Sequence, residues 1–226
     1  MATVEQVIAR LKEKARPDNL EGMQRFGMTK EGRLGLSMPE MRALAKELGK
    51  DHSLALELWK TGIAEARIIA ALIDDPKLLT ERQMEAWVKD FNSWDVCDQV
   101  CGELFDKSPL AWEKVVAWSD RNEEFVKRAA FALLASLAWH DKKADDERFI
   151  ELLPVIVQAS TDERNFVRKA VNWALRNIGK RNIRLNKAAI DTAFKIQKLD
   201  TKAARWIASD AIRELESEAV RKRLEK

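Results

Sequence analysis

An aspartate one helical turn beyond a tryptophan is the arrangement in this sequence best suited to chemistry. Ser93 has the type and position of a helix N-cap, and Asp95 falls in the first turn, where the helix dipole favours a carboxylate. Asp98 lies past that turn, between Cys97 and Val100. The i, i+4 spacing stacks it on one face with Trp94. A carboxylate beside an indole is poorly hydrated, and so a usable base or electrostatic stabiliser. A structural salt bridge, with Arg128 as partner, is the plainer alternative.

Arg128 is the second conspicuous charge. From Ala129 to Trp139 no charged residue follows it, so the helix is apolar on nearly all sides and is expected between neighbours. Arg128 shares its side with Phe131, Ala132 and Ala135. A guanidinium there needs an anion. Asp98 and a ligand phosphate both suit the bidentate geometry of arginine.

Residues 164–190 contain no acid, yet hold Arg164, Arg168, Lys169, Arg176, Lys180, Arg181, Arg184 and Lys187. The net charge is only +3, so positive charge is concentrated here. Unpaired basic charge suits a polyanion, because each phosphate contact releases counterions. At about 100° per residue, Phe166, Val167, Ala170, Val171, Ala174 and Ile178 form an apolar stripe. Trp173 lies at its edge, with Lys169 and Arg176 on the outer side. An indole between two cations can cover a sugar or base while the cations hold phosphates. Trp173 as core beneath a solvated charged face fits the pattern equally.

Helices must position these residues. Apolar residues recur at spacings of three and four, as in Val4, Val7, Ile8 and Leu11. Pro17, Pro39, Pro76 and Pro109 fall between periodic segments. Pro154 reads as near the start of another, where a helix tolerates it. A loose repeat is visible. The segment Phe125-Val-Lys-Arg-Ala-Ala-Phe-Ala-Leu-Leu134 aligns with Phe166-Val-Arg-Lys-Ala-Val-Asn-Trp-Ala-Leu175, a third copy runs from Ala203 to Ile212, and an earlier relative from Glu65 to Ile73. Helix pairs repeating at roughly 40 residues predict an all-α fold. The expected form is a right-handed α–α superhelix of HEAT-like, armadillo-type repeats over residues 1–226, one domain with a concave binding face. A helical bundle of similar-looking helices is the alternative.

Composition agrees with a soluble globular chain: 46% of residues are hydrophobic and 34% charged. No apolar run approaches the ~20 residues that span a bilayer. The first residues mix acids and bases and do not read as a secretory signal, so a cytosol of bacterial or archaeal type is expected. Cys97 and Cys101 read as buried thiols. No further cysteine or nearby histidine completes a zinc set, so neither metal nor cofactor is expected. His52 and His140 read as surface or loop residues without partners.

Three blocks together resemble one family. Ser93-Trp-Asp-Val-Cys-Asp98 resembles the S-W-W/D-x-x-D segment of the AlkD-like DNA glycosylases, which are built on HEAT-like repeats. Lys127-Arg-Ala-Ala130 resembles their R-R-x-A helix, and Lys169-Ala-Val-Asn-Trp-Ala-Leu-Arg176 their K-A-x-x-W-x-L-R helix. The blocks keep the family's order and similar spacings, over roughly residues 50–215. The resemblance implies a monofunctional, cofactor-free enzyme, acting as a monomer on double-stranded DNA. It would hydrolyse the N-glycosidic bond of cationic alkylated purines such as 3-methyladenine and 7-methylguanine. Asp98 would be the catalytic carboxylate, Trp94 and Trp173 would pack around the damaged nucleotide, and Arg128 would hold backbone phosphate. Arg168, Lys169, Arg176, Lys180 and Arg181 complete the expected DNA contacts. The chemistry is sensible, because a cationic base is already a good leaving group. Negative charge near the developing oxocarbenium and a positioned water then suffice, and aromatic faces also attract cations.

This chain departs from the family in two places. The family's N-terminal signature carries a tyrosine near the DNA, whereas this chain has no tyrosine and reads Glu21-Gly-Met-Gln-Arg-Phe26 in that region. Where many relatives have paired tryptophans, Asp95 follows Trp94. A non-catalytic DNA-binding repeat protein and a scaffold for protein partners are the competing readings. The basic stretch argues against the scaffold, and Asp98 beside Trp94 separates enzyme from passive binder. No lysine stands out as a desolvated nucleophile, so no lyase step is expected.

Overall fold

The structure is a computed structural model that describes residues 2–225. Short polar side chains set where many of its helices begin. Thr3, Asp51, Thr80, Asn182, Thr201 and Ser217 each accept an N–H of the first turn, satisfying donors that a helix start leaves unpaired. The chain divides into two compact units, one ending at Pro109 and the other beginning at Leu110.

The first unit holds α1 (Val4–Glu13), α2 (Asn19–Arg25), α3 (Met38–Leu48), α4 (His52–Lys60), α5 (Ala64–Ile73), α6 (Glu81–Lys89) and α7 (Trp94–Glu103), then one 3-10 turn (Phe105–Lys107). Helix α5 packs against α3, α4 and α7. Trp59 of α4 stacks on Trp87 of α6, with ring centroids 3.9 Å apart. A buried carboxylate ties the irregular stretch before α3 to this core. Glu65 stands in apolar α5 and is fully buried. It accepts the backbone N–H groups of Leu34 at 3.0 Å, Gly35 at 2.7 Å and Leu36 at 3.4 Å. Gly35 has φ of 87°, and a Cβ there would meet the Arg16 carbonyl oxygen at 2.3 Å. Only glycine lets the stretch close on Glu65.

The second unit holds α8 (Ala111–Ser119), α9 (Glu124–His140), α10 (Asp146–Ala159), α11 (Asn165–Gly179), α12 (Ile183–Gln197), α13 (Lys202–Leu215) and α14 (Glu218–Leu224). Helices α9, α11 and α13 lie side by side, and α8, α10 and α12 back them as a second layer. The residues of α9 from Arg128 to Ala138 are all buried, as a helix apolar on every side requires. The sequence repeat is the packing repeat. Phe125 and Phe166 hold the same place in successive copies, and their rings stack at 5.5 Å. Asn177 donates to the Ala135 carbonyl at 3.1 Å and Arg181 to that of Ala138 at 2.8 Å, steps of 42 and 43 residues. Asn172 donates to Asp210 at 2.7 Å, a step of 38. Contacts at a nearly constant step mean that α9, α11 and α13 run parallel.

Several expectations need correction. Pro39 lies inside the first turn of α3, not between elements, which suits a ring with no N–H to lose. Pro154 lies in the interior of α10, not near its start. The apolar face of Phe149, Leu152, Leu153 and Ile156 runs through it, and burial of that face outweighs one lost backbone bond. His52 does have a partner. Its Nδ1 lies 2.6 Å from Oδ1 of the buried Asp74, whose other oxygen accepts Gln83 Nε2 at 2.6 Å. The Asp51 N–H bonds the Ile73 carbonyl at 2.8 Å and so brings the two segments together. Cys97 and Cys101 are buried free thiols.

Replacing Gly35 with alanine forces both a left-handed backbone and a clash with Arg16. We expect a loss of about 1–3 kcal/mol in urea denaturation, and an unchanged midpoint would contradict this account of the stretch.

Candidate nucleic-acid interface

Helix α7 carries the first group of candidate residues. Ser93 is its N-cap, but its hydroxyl does not close the cap. It donates to Asp95 Oδ1 at 2.5 Å instead. Asp95 is also gripped by the buried Arg33 through paired contacts of 2.7 and 2.9 Å, and Arg33 Nε donates to the Thr29 carbonyl at 2.9 Å. Arg33, and not the helix dipole alone, is therefore the main partner of Asp95. The signal was a lone arginine between Gly32 and Gly35. This clamp fixes the start of α7 and with it Trp94, the first helical residue. Trp94 is half-buried, and its Nε1 donates to the Phe26 carbonyl at 3.0 Å. Phe26, in the region where tyrosine is missing, is itself 76% exposed. Asp98 follows one turn after Trp94 and is half-buried. Burial pushes the Cys101 thiol well up, with the Cys97 hydrogen bond and the charges of Asp98 and Asp106 acting in the same direction. That thiol is a neutral packing group.

The second unit carries the rest. Arg128 is buried, and its Nη1 donates to the Phe166 carbonyl at 2.6 Å. A backbone oxygen thus accepts one of its donor groups. On α11, Lys169 is exposed and Trp173 is half-buried. Arg168 lies beside Asn165, with 3.2 Å between Nη2 and Oδ1, and its guanidinium covers the Trp206 ring at 5.2 Å. Trp206 of α13, 38% exposed, was not singled out from the sequence. It sits in the third repeat copy at the place of Lys169, which is the signal that could have found it. Arg168, Lys169, Trp173 and Trp206 are exposed or half-buried side chains of α11 and α13. They form one cationic and aromatic surface.

Against expectation, Arg164, Arg176, Lys180 and Arg184 of the acid-free stretch are ion-paired. Their partners come from other helices and from the loops between them. Arg176 meets Glu214 and, at 3.2 Å, Asp210, and Lys180 meets Glu214 at 2.8 Å. Arg184 meets Glu147 at 2.5 Å, and Arg164 meets Asp162 at 2.6 Å. Arg181 donates to two carbonyls, of Ala138 and Ala144, and covers Phe149 at 4.3 Å. Lys169 has no carboxylate in ion-pair reach among the described residues.

Residues 7–215 match the family model described as DNA alkylation repair enzyme. The chain belongs to that family. It also superposes on a solved structure from a family described as related to the HEAT-like repeat DNA glycosylases, with affinity for branched DNA structures. The TM-score is 0.80 at 20% identity, over 99% of this chain and 96% of that one. A designed armadillo repeat protein is similar over 78% of this chain and 92% of its own, at 18% identity and a TM-score of 0.36. No curated protein sequence matches. The fold of this DNA alkylation repair family member is thus the HEAT-like repeat array that the sequence predicted. No helix among the described residues is long and apolar enough to cross a membrane.

The inter-helix ion pairs give a pH prediction. Burial alone would raise the Glu214 carboxyl, but the Lys180 hydrogen bond and the charges of Arg176 and Lys180 outweigh it and hold it below its ordinary range. Stabilisation from such a group is present above the unfolded value of about 4.3. It is lost as pH falls through the lowered folded value. Thermal melts should show a falling Tm below about pH 4, and Glu214→Gln should flatten part of that fall. An acid limb as steep as the parent's would show that the pairing contributes nothing.

Proposed function

We propose that this protein is a monofunctional DNA glycosylase that releases cationic N3- or N7-alkylated purines from double-stranded DNA. The observation that carries the proposal is a half-buried carboxylate, Asp98, one turn from the half-buried Trp94, on a helix start clamped by Arg33, in a chain of the DNA alkylation repair family. In this reading the C1′–N bond breaks with its electron pair leaving on the base, which neutralises the base's positive charge. Asp98 stabilises the oxocarbenium that remains, and a water adds its oxygen to C1′ and gives up a proton. Because the departing base already carries the charge that makes it leave, no strong general acid is required. Trp94 of the first unit provides an aromatic face for the cationic nucleotide, and Trp173 of the second an aromatic face for DNA. Lys169 and Arg168 contact phosphate directly, and Arg128 and Arg176 serve from beneath the surface.

A second reading has a specific observation in its favour. The fold relative with a TM-score of 0.80 comes from a family with affinity for branched DNA. In that reading the protein binds DNA without cutting the glycosidic bond.

The test is single-turnover release of free base from methylated duplex DNA, by the parent and by Asp98→Asn. The substitution keeps size but removes the charge and turns one acceptor oxygen into a donor. We expect release by the parent, a loss of at least about a hundredfold in the variant, and unchanged duplex affinity. Excision at the parent's rate by Asp98→Asn would overturn the assigned chemistry. Absence of release by either protein, with branched DNA bound more tightly than linear duplex, would establish the second reading.

A further inference from the structure

Where α9 and α11 end, the second unit has a concave pocket of about 360 Å³ that the surface above does not use. Its lining includes Trp139, Lys142, Lys180, Arg181, Asn182 and Arg223, and no acid. Trp139 is 51% exposed, directly after the buried run of α9 from Arg128 to Ala138. Lys142 Nζ lies 5.0 Å and the Arg223 guanidinium 5.4 Å from its ring centroid. Neither cation has a carboxylate in ion-pair reach among the described residues. Glu214 answers the charge of Lys180 while sharing itself with Arg176. Arg181 spends two donor groups on carbonyls but keeps its charge, with Asp141 and Asp146 as the acids that act on it. The pocket therefore holds an excess of cations that its own unit leaves unanswered.

We propose that this pocket binds a phosphomonoester, either the terminal phosphate of a nucleic-acid strand or that of a free nucleotide. A phosphomonoester carries close to two negative charges at neutral pH and three strong acceptor oxygens. Lys142 and Arg223, which no carboxylate among the described residues answers, match it in charge. The exposed indole of Trp139 supplies an apolar wall for the attached sugar or base. The volume lies near the small end of the about 300–1,000 Å³ that small-ligand sites occupy. That favours one terminal nucleotide. An internal phosphodiester carries a single charge and a continuing chain on both sides.

The proposal does not rest on base excision, and a protein that releases no base leaves it standing. It is tested by fluorescence anisotropy on the full chain, with a short single strand carrying a terminal phosphate at either end or none. A nucleoside monophosphate serves as competitor. We expect a terminal phosphate to raise affinity by about tenfold, the size of one charge-assisted hydrogen bond. Lys142→Gln combined with Arg223→Gln should abolish that gain and leave affinity for unphosphorylated duplex unchanged. Both side chains are exposed, and an unaltered Tm would verify that the double variant is folded. Displacement by the mononucleotide would assign the site to free nucleotides, and resistance to displacement would assign it to strand ends. Equal affinity with and without the phosphate, or a gain that survives in the double variant, would overturn the proposal.

Discussion

The parallel register of α9, α11 and α13 decides what the second unit presents to a ligand. It begins with a helix that has no polar face. Buried from Arg128 to Ala138, α9 can be covered only by apolar neighbours. Near its end the carbonyls of Ala135 and Ala138 accept from Asn177 of α11 and from Arg181 just beyond it. Those bonds fix how far α11 slides along α9. The same register then sets Arg176 and Lys180 against Asp210 and Glu214 of α13. A shift of one residue would turn each of these side chains by about 100° and break the set together.

The consequence is a sorting of charge that local sequence does not display. Residues 164–190 carry eight bases and no acid, yet Arg176, Lys180 and Arg184 meet acids 34 to 38 residues away in the chain. What remains without an ion pair among the described residues is a smaller group: Lys169, Lys187, Arg181 held by two carbonyls, and Arg168 lying on Trp206. A partly buried ion pair is already satisfied, and to offer its cation to phosphate it must leave a carboxylate behind. An exposed lysine with no partner makes no such sacrifice. The two aromatic and cationic surfaces of the second unit, around Trp173 with Trp206 and around Trp139, are where this excess persists.

The legible parts of the molecule were those governed by short spacings. Helical periodicity, the caps and the roughly 40-residue repeat are local or nearly so, and the helices, the stacked Phe125 and Phe166 and the burial of α9 followed from them. The N-cap position of Ser93 and the half-buried Trp94 and Asp98 were legible for the same reason. The missed features all join distant segments. The grip of Arg33 on Asp95 spans 62 residues, Glu65 reaches back 30 residues to the Gly35 amide, and His52 finds Asp74 across 22. Each left the same faint trace, a charged or polar residue in an apolar or glycine-rich setting. That trace says that a partner exists and not which one. Pro154 misled because a continuing apolar face can hold a helix through a proline.

The account stands on the claim that register, not local composition, determines which cations meet DNA. The salt dependence of duplex affinity measures this directly, because its slope counts the phosphates that protein cations neutralise. Lys169→Gln should lower the slope by about one. The charge-neutral double change Lys180→Gln with Glu214→Gln should leave it as in the parent. A double variant whose slope falls as far as that of Lys169→Gln would show that the paired cations contact phosphate after all, and would contradict the account.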